Sequence, residues 1–154
     1  MRDRVRDGDV ADAVRFLLTP SRSGTKVADK QTTDCGVLVV EDDPAIRRLV
    51  RMVLEREGYR VDVAADGVEA VLKLGLTDFD VIILDLMMPN LDGFTFMNTL
   101  SEHEPERLRR IIVTSAASPN VIRDRMHGAP FDLLPKPFDI QQLAARVRSC
   151  IDAQ

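Results

Sequence analysis

Residues 37–44 read VLVVEDDP, and this stretch decides the fold. Four apolar, mostly β-branched residues predict a strand that is buried on both faces, and strands of this kind belong to parallel sheets covered by helices on both sides. Three carboxylates follow the strand, and Pro44 is well suited to the first turn of a helix. Residues 81–85, VIILD, repeat the pattern of an apolar strand that ends in a carboxylate.

Strand and helix signals alternate along the rest of the chain, with short connections between them. Each predicted strand is an apolar run or alternates in polarity, and each predicted helix carries apolar residues at helical spacing. Such alternation requires parallel strands with right-handed crossovers, which predicts a doubly wound α/β fold with five strands. The predicted strands are Val37–Val40, Tyr59–Ala64, Val81–Leu84, Ile111–Val113 and Phe131–Leu134. The predicted helices are Pro44–Glu57 (with Ile46, Leu49, Val50, Val53 and Leu54 inward), Val68–Leu76, one lined by Phe94, Met97 and Leu100, Pro119–Met126, and one capped by Asp139.

Composition excludes several classes of protein. The 154 residues carry a net charge of −4, which disfavours direct nucleic-acid binding by charge. No apolar run approaches the roughly 18 residues that a membrane helix needs, so we expect no membrane partner. Cys35 and Cys150 are too few for a disulfide framework or a zinc knuckle, and indicate reduced thiols in a cytoplasmic protein.

The sequence changes character at Cys35-Gly36, which predicts an N-terminal extension over residues 1–34 and one domain over 35–154. Within the extension, Asp9 is a possible cap for a short helix with one apolar face that ends before Pro20. The residues of that face are Val10, Val14, Leu17 and Leu18. Residues 21–34 are typical of a flexible linker. Two interpretations stay open: a disordered extension or misplaced start, and a docking helix.

Chemistry-bearing residues follow four of the predicted strands. Because ligands bind at the carboxyl ends of the strands in such sheets, we expect these side chains to converge. Clustered carboxylates favour a hard cation such as Mg²⁺, and a lysine beside them can bind an anion. Carboxylates also act as nucleophiles that form acyl phosphates, so the set suits phosphoryl transfer. The residues are Glu41-Asp42-Asp43, Asp85, Thr114-Ser115 and Lys136-Pro137.

Four runs in this order and spacing resemble the receiver domain of two-component response regulators, of the chemotaxis-response-regulator type. The resemblance covers about residues 36–152 and implies a flavodoxin-like sheet with strand order 2-1-3-4-5. The runs are VVEDDP at 39–44, DLMMPNLDG at 85–93, TSA at 114–116 and PKPF at 135–138.

The resemblance also implies a role for each matching residue. Asp85 is the phosphoacceptor, Ser115 the switch hydroxyl, and Lys136 the contact to the phosphoryl group, with a cis bond to Pro137. Thr114 is an alternative hydroxyl, but the following Ala116 favours Ser115. The expected cofactor is Mg²⁺, and its expected ligands are Asp42, Asp85 and the backbone carbonyl of Met87, with Glu41 assisting.

Three departures from the family pattern affect the expected function. Leu133 stands where the family has an aromatic switch residue, and the preceding loop is one residue longer, so Phe131 is a candidate substitute. Met87 and Ala117 occupy the two variable positions that influence hydrolysis, and neither orients water, which predicts a long-lived acyl phosphate. No DNA-binding or enzymatic motif follows the last helix, which predicts a stand-alone receiver.

The resulting hypothesis is a phosphorelay receiver that takes its phosphoryl group from a sensor histidine kinase or phosphotransfer protein. It signals through an unknown output protein or a phosphorylation-dependent homodimer, and catalyses only its own phosphorylation and dephosphorylation. The alternative is a phosphorylation-independent pseudo-receiver. A carboxylate phosphohydrolase is disfavoured because Met87 stands where a second Asp is needed, and a dinucleotide site because no glycine-rich loop follows the first strand.

Overall fold

The structure, a computed structural model, describes residues 34–88 and 92–154. The predicted helix near residues 9–18 and the predicted linker, apart from Asp34, lie outside the described residues. Residues 89–91, which fall in the predicted run DLMMPNLDG, lie outside them as well.

In the described part of the chain, five strands and five α-helices alternate in sequence order. The strands are β1 (Gly36–Val40), β2 (Arg60–Ala64), β3 (Val81–Asp85), β4 (Ile111–Ser115) and β5 (Asp132–Pro135). The helices are α1 (Pro44–Arg56), α2 (Gly67–Leu76), α3 (Gly93–His103), α4 (Pro119–Met126) and α5 (Ile140–Asp152), and a 3₁₀ helix (Pro105–Arg110) precedes β4. All pairings are parallel and the order is β2-β1-β3-β4-β5, which confirms the predicted fold and strand order.

The strands β1, β3 and β4 are buried along their whole length because helices cover both faces of the sheet. Alternate residues of each strand point to opposite layers, so the continuous apolar runs in the sequence fill two cores. One core includes Leu38, Ile82 and Leu100, and the other includes Val39, Val50 and Leu143. The two cores fix the positions of the central strands, and therefore also the positions of the residues at the ends of these strands.

The strand register places the chemistry-bearing residues at one edge. Val40 pairs with Leu84, so Glu41, which follows β1, and Asp85, the last residue of β3, lie at the same level on neighbouring strands. Asp85 pairs with Thr114, and Ser115 pairs with Pro135, directly before Lys136.

Three details differ from the sequence-based expectation. The apolar pattern predicts Leu49 on the inward side of α1, but Leu49 is 50% exposed, because α1 buries a narrower stripe whose buried residues are Val50 and Leu54. The 3₁₀ helix was not predicted; Leu108 is its buried anchor. The strand β5 begins at Asp132 and not at Phe131, because the Phe131 N–H donates to the Ala129 carbonyl in a tight turn.

Candidate phosphoacceptor and metal site

Three carboxylates meet at the carboxyl edge of the sheet. Glu41, Asp42 and Asp85 each offer one oxygen, and these three oxygens lie within 4.8 Å of one another. Glu41 and Asp85 are buried, at 4% and 3% exposure, whereas Asp42 is exposed. Like charges at this distance and burial are costly unless cations compensate them.

Lys136 supplies one such cation from the opposite end of the sequence. Its Nζ donates to Glu41 Oε2 at 2.8 Å and to Asp85 Oδ2 at 3.1 Å. The Lys136 N–H also donates to the Ser115 carbonyl at 2.8 Å, which ties the start of the β5–α5 loop to the end of β4. The peptide bond between Lys136 and Pro137 is cis.

The ionisation of this cluster follows from burial and from these contacts. Burial raises the pKa of Glu41, the hydrogen bond from Lys136 works in the opposite direction, and the Asp85 charge adds to the rise. Burial also disfavours the charge on Lys136, but its hydrogen bonds to Glu41 and Asp85 outweigh this effect and raise the pKa of the ammonium. Lys136 therefore carries a firmly held positive charge between two buried carboxylates.

The second oxygen of Asp85 is held by its own loop. Asp85 Oδ1 accepts a hydrogen bond from the Met87 N–H at 3.0 Å, and the Met87 side chain is exposed. The helix α3 starts against this loop: a Cβ on Gly93 would lie 2.7 Å from the Leu86 Cα and 3.2 Å from the Asp85 carbonyl oxygen. Gly93 is thus required for the close approach of α3 to the loop that follows Asp85.

The β1–α1 loop carries the other two carboxylates and is braced by α1. Asp43 caps the helix, since its Oδ1 accepts from the N–H groups of Ala45 and Ile46 at 2.8 and 3.1 Å. The guanidinium of Arg47 reaches back and donates to the carbonyls of Glu41 at 2.9 Å and Asp42 at 3.3 Å. Sequence reasoning missed Arg47, because an arginine in the first turn of a helix carries no signal of where its side chain turns.

The predicted switch hydroxyl lies at the end of β4. Ser115 is fully buried, and its Oγ accepts a hydrogen bond from the Ala117 N–H at 3.1 Å. Thr114 is buried as well, one residue earlier and therefore on the other face of the strand. Since Ser115 also holds Lys136 through its carbonyl, it connects the lysine to the loop that enters α4.

The face formed by α4, β5 and α5 carries the atypical residues. Phe131 and Leu133 are both partly buried and pack against the core. They line a cleft of about 380 Å³ together with Arg123, Asp132 and Arg146. The Arg146 Nη1 donates to Asp132 Oδ1 at 2.7 Å across this cleft.

A family model described as the response regulator receiver domain matches residues 37–148. The chain belongs to this family. The resemblance drawn from the four sequence runs is thereby confirmed. Among the described residues, the receiver domain contains no helix with the length and apolar character needed to cross a membrane.

Known proteins similar to this receiver domain agree with its fold. The DNA-binding dual master transcriptional regulator RpaA of Synechocystis sp. is 38% identical over 118 residues, 75% of this chain and 48% of RpaA. The chain thus spans about half the length of the curated relatives it matches first. The Francisella response regulator 1452 receiver domain has a TM-score of 0.69 at 31% identity, covering 77% of this chain and 98% of that one. The response regulator TrrA of Thermotoga maritima, solved with Mg²⁺ and BeF, has a TM-score of 0.65 at 30% identity, covering 75% and 98%.

Proposed function

We propose that this receiver domain accepts a phosphoryl group on Asp85 from the phosphohistidine of a sensor kinase or phosphotransfer protein. The observation that carries the proposal is the contact of one ammonium, on Lys136, with two buried carboxylates, on Glu41 and Asp85. A salt bridge that serves only the fold needs one carboxylate for each ammonium. Here one ammonium faces two buried carboxylates, and a third carboxylate, the exposed Asp42, lies beside them. The excess negative charge suits a site that binds a cation during its reaction.

The donor set fits Mg²⁺. Its oxygens are hard ligands within 4.8 Å of one another, and an exposed carboxylate leaves room for retained waters. We propose that Asp42, Asp85 and the carbonyl of Met87 hold the ion, with Glu41 assisting. When bound, Mg²⁺ supplies charge neutralisation at the phosphoryl oxygens.

In the proposed reaction, a carboxylate oxygen of Asp85 attacks the phosphorus of the donor. An O–P bond forms, giving an acyl phosphate, while the N–P bond to the donor histidine breaks and the imidazole leaves with the electron pair. The Met87 N–H and the Lys136 ammonium, which contact the two oxygens of Asp85, orient the nucleophile. Lys136 is also placed to neutralise charge on the transferred group, so the work of the protein is positioning and electrostatics.

The proposed output starts at Ser115. A phosphoryl group on Asp85 adds acceptor oxygens, and we propose that the Ser115 hydroxyl turns toward them. Its present hydrogen bond to the Ala117 N–H lies at the start of the loop that enters α4. Such a local change shifts the conformational equilibrium of the surface formed by α4, β5 and α5.

We further propose that this surface signals through a separate protein or a second copy of the chain, in the cytoplasm. The described residues build the receiver fold, in which this surface is formed by one strand and two helices. Residues 35–154 hold 14 basic and 19 acidic side chains, a net charge of −5, which supports an output without direct nucleic-acid contact. The proposed chemistry is limited to the phosphorylation and dephosphorylation of Asp85 itself.

The experiment is phosphorylation with acetyl phosphate, followed by intact mass measurement, with and without Mg²⁺. We expect the wild-type chain to gain the mass of one phosphoryl group only with Mg²⁺, and Asp85→Asn to gain none. Asp42→Asn should lose most of the Mg²⁺-dependent labelling, whereas the matched control Asp124→Asn, an exposed carboxylate on α4, should label normally. Absence of an Asp85-dependent mass gain would overturn the relay proposal in favour of a pseudo-receiver.

A further inference from the structure

Arg47 holds the backbone of the two acidic residues that precede α1. Its Nη1 lies 2.9 Å from the Glu41 carbonyl oxygen and 3.3 Å from the Asp42 carbonyl oxygen. The Arg47 N–H donates to the Asp43 carbonyl in the first helical turn, at 2.9 Å. One residue therefore bonds all three carbonyls of the acidic loop.

The remaining contacts of this loop leave the Asp42 carboxylate dependent on the backbone. Glu41 is fixed at its N–H by the Ala64 carbonyl and at its side chain by Lys136. Asp43 is fixed by the helix cap. Asp42 is exposed, and the Arg47 guanidinium is the contact the structure shows at its carbonyl.

From this geometry we infer that Arg47 is a positioning residue for Mg²⁺, an inference that rests on the proposed function of the site. By fixing the backbone at the carbonyls of Glu41 and Asp42, the guanidinium holds the Asp42 carboxylate beside the other two carboxylates of the pocket. A loop ordered before the ion arrives loses less conformational freedom on binding, so the ion binds more tightly. Groups behind the metal ligands contribute in this way in other metal sites.

The charge of Arg47 and its positioning role predict opposite effects of its removal on the Mg²⁺ affinity. By charge alone, removing a cation beside three carboxylates strengthens the binding of another cation. Loss of positioning weakens it. The direction of the change in Mg²⁺ affinity therefore separates the two effects, and the neighbouring exposed Arg48 provides a control that removes the same charge from the same helix.

The test is calorimetric titration of the metal-free chain with MgCl₂ at fixed ionic strength, for wild type, Arg47→Ala, Arg47→Lys and Arg48→Ala. We expect the Kd of Arg47→Ala to rise about three- to tenfold. This is less than the roughly 10–100-fold typical of outer-shell partners, because Arg47 holds the backbone and no ligand atom. Arg47→Lys should recover part of the affinity through one carbonyl contact. Arg48→Ala should bind as tightly as wild type or more tightly. Urea unfolding midpoints of the metal-free variants should stay close to wild type.

The outcomes are distinct. If wild type binds Mg²⁺ and Arg47→Ala binds as tightly or more tightly, the positioning role is wrong and the site stands. If wild type itself shows no Mg²⁺ binding that depends on Asp42, the proposed metal site fails and the role of Arg47 fails with it. If Arg47→Ala unfolds, the comparison of Arg47→Lys with wild type decides. A folded Arg47→Lys that binds Mg²⁺ with wild-type affinity and wild-type binding enthalpy contradicts the inference. A folded Arg47→Lys that binds Mg²⁺ more weakly supports it.

Discussion

Replacing Lys136 with methionine tests whether the ammonium is the internal counter-ion of the acidic pocket. Methionine keeps a long unbranched side chain and removes the charge. The substitution leaves Glu41 and Asp85 buried at 4% and 3% exposure beside Asp42, with no ammonium between them. We expect the metal-free protein to be strongly destabilised, and Mg²⁺ to recover much of the loss.

The magnitude follows from the two contacts. At an effective dielectric constant of about 20, ion pairs at 2.8 and 3.1 Å are each worth about 5–6 kcal/mol before the cost of desolvation. Removing one partner of a buried pair typically costs about 3–5 kcal/mol after that cost. Because the Lys136 side chain is 19% exposed, solvent screens part of the attraction, and we expect a loss of about 3 kcal/mol in unfolding free energy at neutral pH.

The assay is urea unfolding followed by far-ultraviolet circular dichroism, in EDTA and in saturating Mg²⁺. An ion at a hundred times its Kd stabilises a folded protein by about 2.7 kcal/mol, and the variant should gain more than wild type because its pocket lacks the competing ammonium. The matched control is Lys73→Met, which removes more exposed ion pairs with Asp62 and Glu69 and a hydrogen bond to the Val63 carbonyl. The ion pairs are partly solvent-screened and a hydrogen bond contributes about 1 kcal/mol, so the control should lose about 1–2 kcal/mol, less than Lys136→Met.

Two results would refute this reasoning. One is a metal-free Lys136→Met variant that unfolds within about 0.5 kcal/mol of wild type, the usual range for a surface substitution. The other is a variant that Mg²⁺ stabilises no more than it stabilises wild type. Either result would show that solvent, and not Lys136, balances the pocket charge.

Three further predictions concern pH, phosphoryl lifetime and loop packing. Burial raises the pKa of Glu41, so this carboxyl group holds its proton more tightly in the folded protein than in the unfolded chain. The unfolding free energy should therefore fall as pH rises from the ordinary glutamate pKa of about 4.3 through the raised value. The urea midpoint of Glu41→Gln should change less over the same pH range. Since Met87 and Ala117 cannot orient an attacking water, the acyl phosphate should persist well beyond seconds, and Met87→Asn should shorten its lifetime in a decay assay; rapid decay of wild type would contradict this. Gly93→Ala should cost about 1–3 kcal/mol by thermal melting, because its methyl group meets loop backbone at 2.7 Å. Gly75→Ala, on the exposed surface of α2, should instead gain up to about 1 kcal/mol; equal effects would exclude the packing argument.

The fold was predictable because the central strands are buried on both faces. Continuous apolar runs at 37–40, 81–84 and 111–113 match strands that are buried throughout. The burial of residues on the outer helices was harder to predict, because fewer neighbouring elements pack against these helices. Leu49 on α1 has the apolar character of a core residue but is 50% exposed, and periodicity alone does not report how wide a stripe of the helix is buried.

The site was predictable to the extent that it depends on strand ends. Glu41, Asp85 and Lys136 follow strands directly, so the predicted sheet order brought them together before any contact was known. The structure shows where these residues lie, whereas the roles assigned to the site residues, those of Ser115 and the Met87 carbonyl included, stay predictions. Arg47 could not be found in this way, since its partners are carbonyl oxygens, which every residue possesses and no sequence pattern distinguishes.

The charge of the pocket connects its chemistry to its proposed output. Three carboxylates and one ammonium leave two negative charges, which a divalent cation would balance. Phosphorylation replaces the single charge of Asp85 with about −1.5 to −2 on the phosphoryl group, so the balance is lost again. The additional charge attracts the nearest donor that can move, and Ser115 is suited to this role because its hydroxyl is held by one N–H bond, from Ala117. If the hydroxyl turns as proposed, that N–H is released at the start of the loop into α4. The residue proposed to satisfy the phosphoryl group would then also change the surface proposed for partner contact.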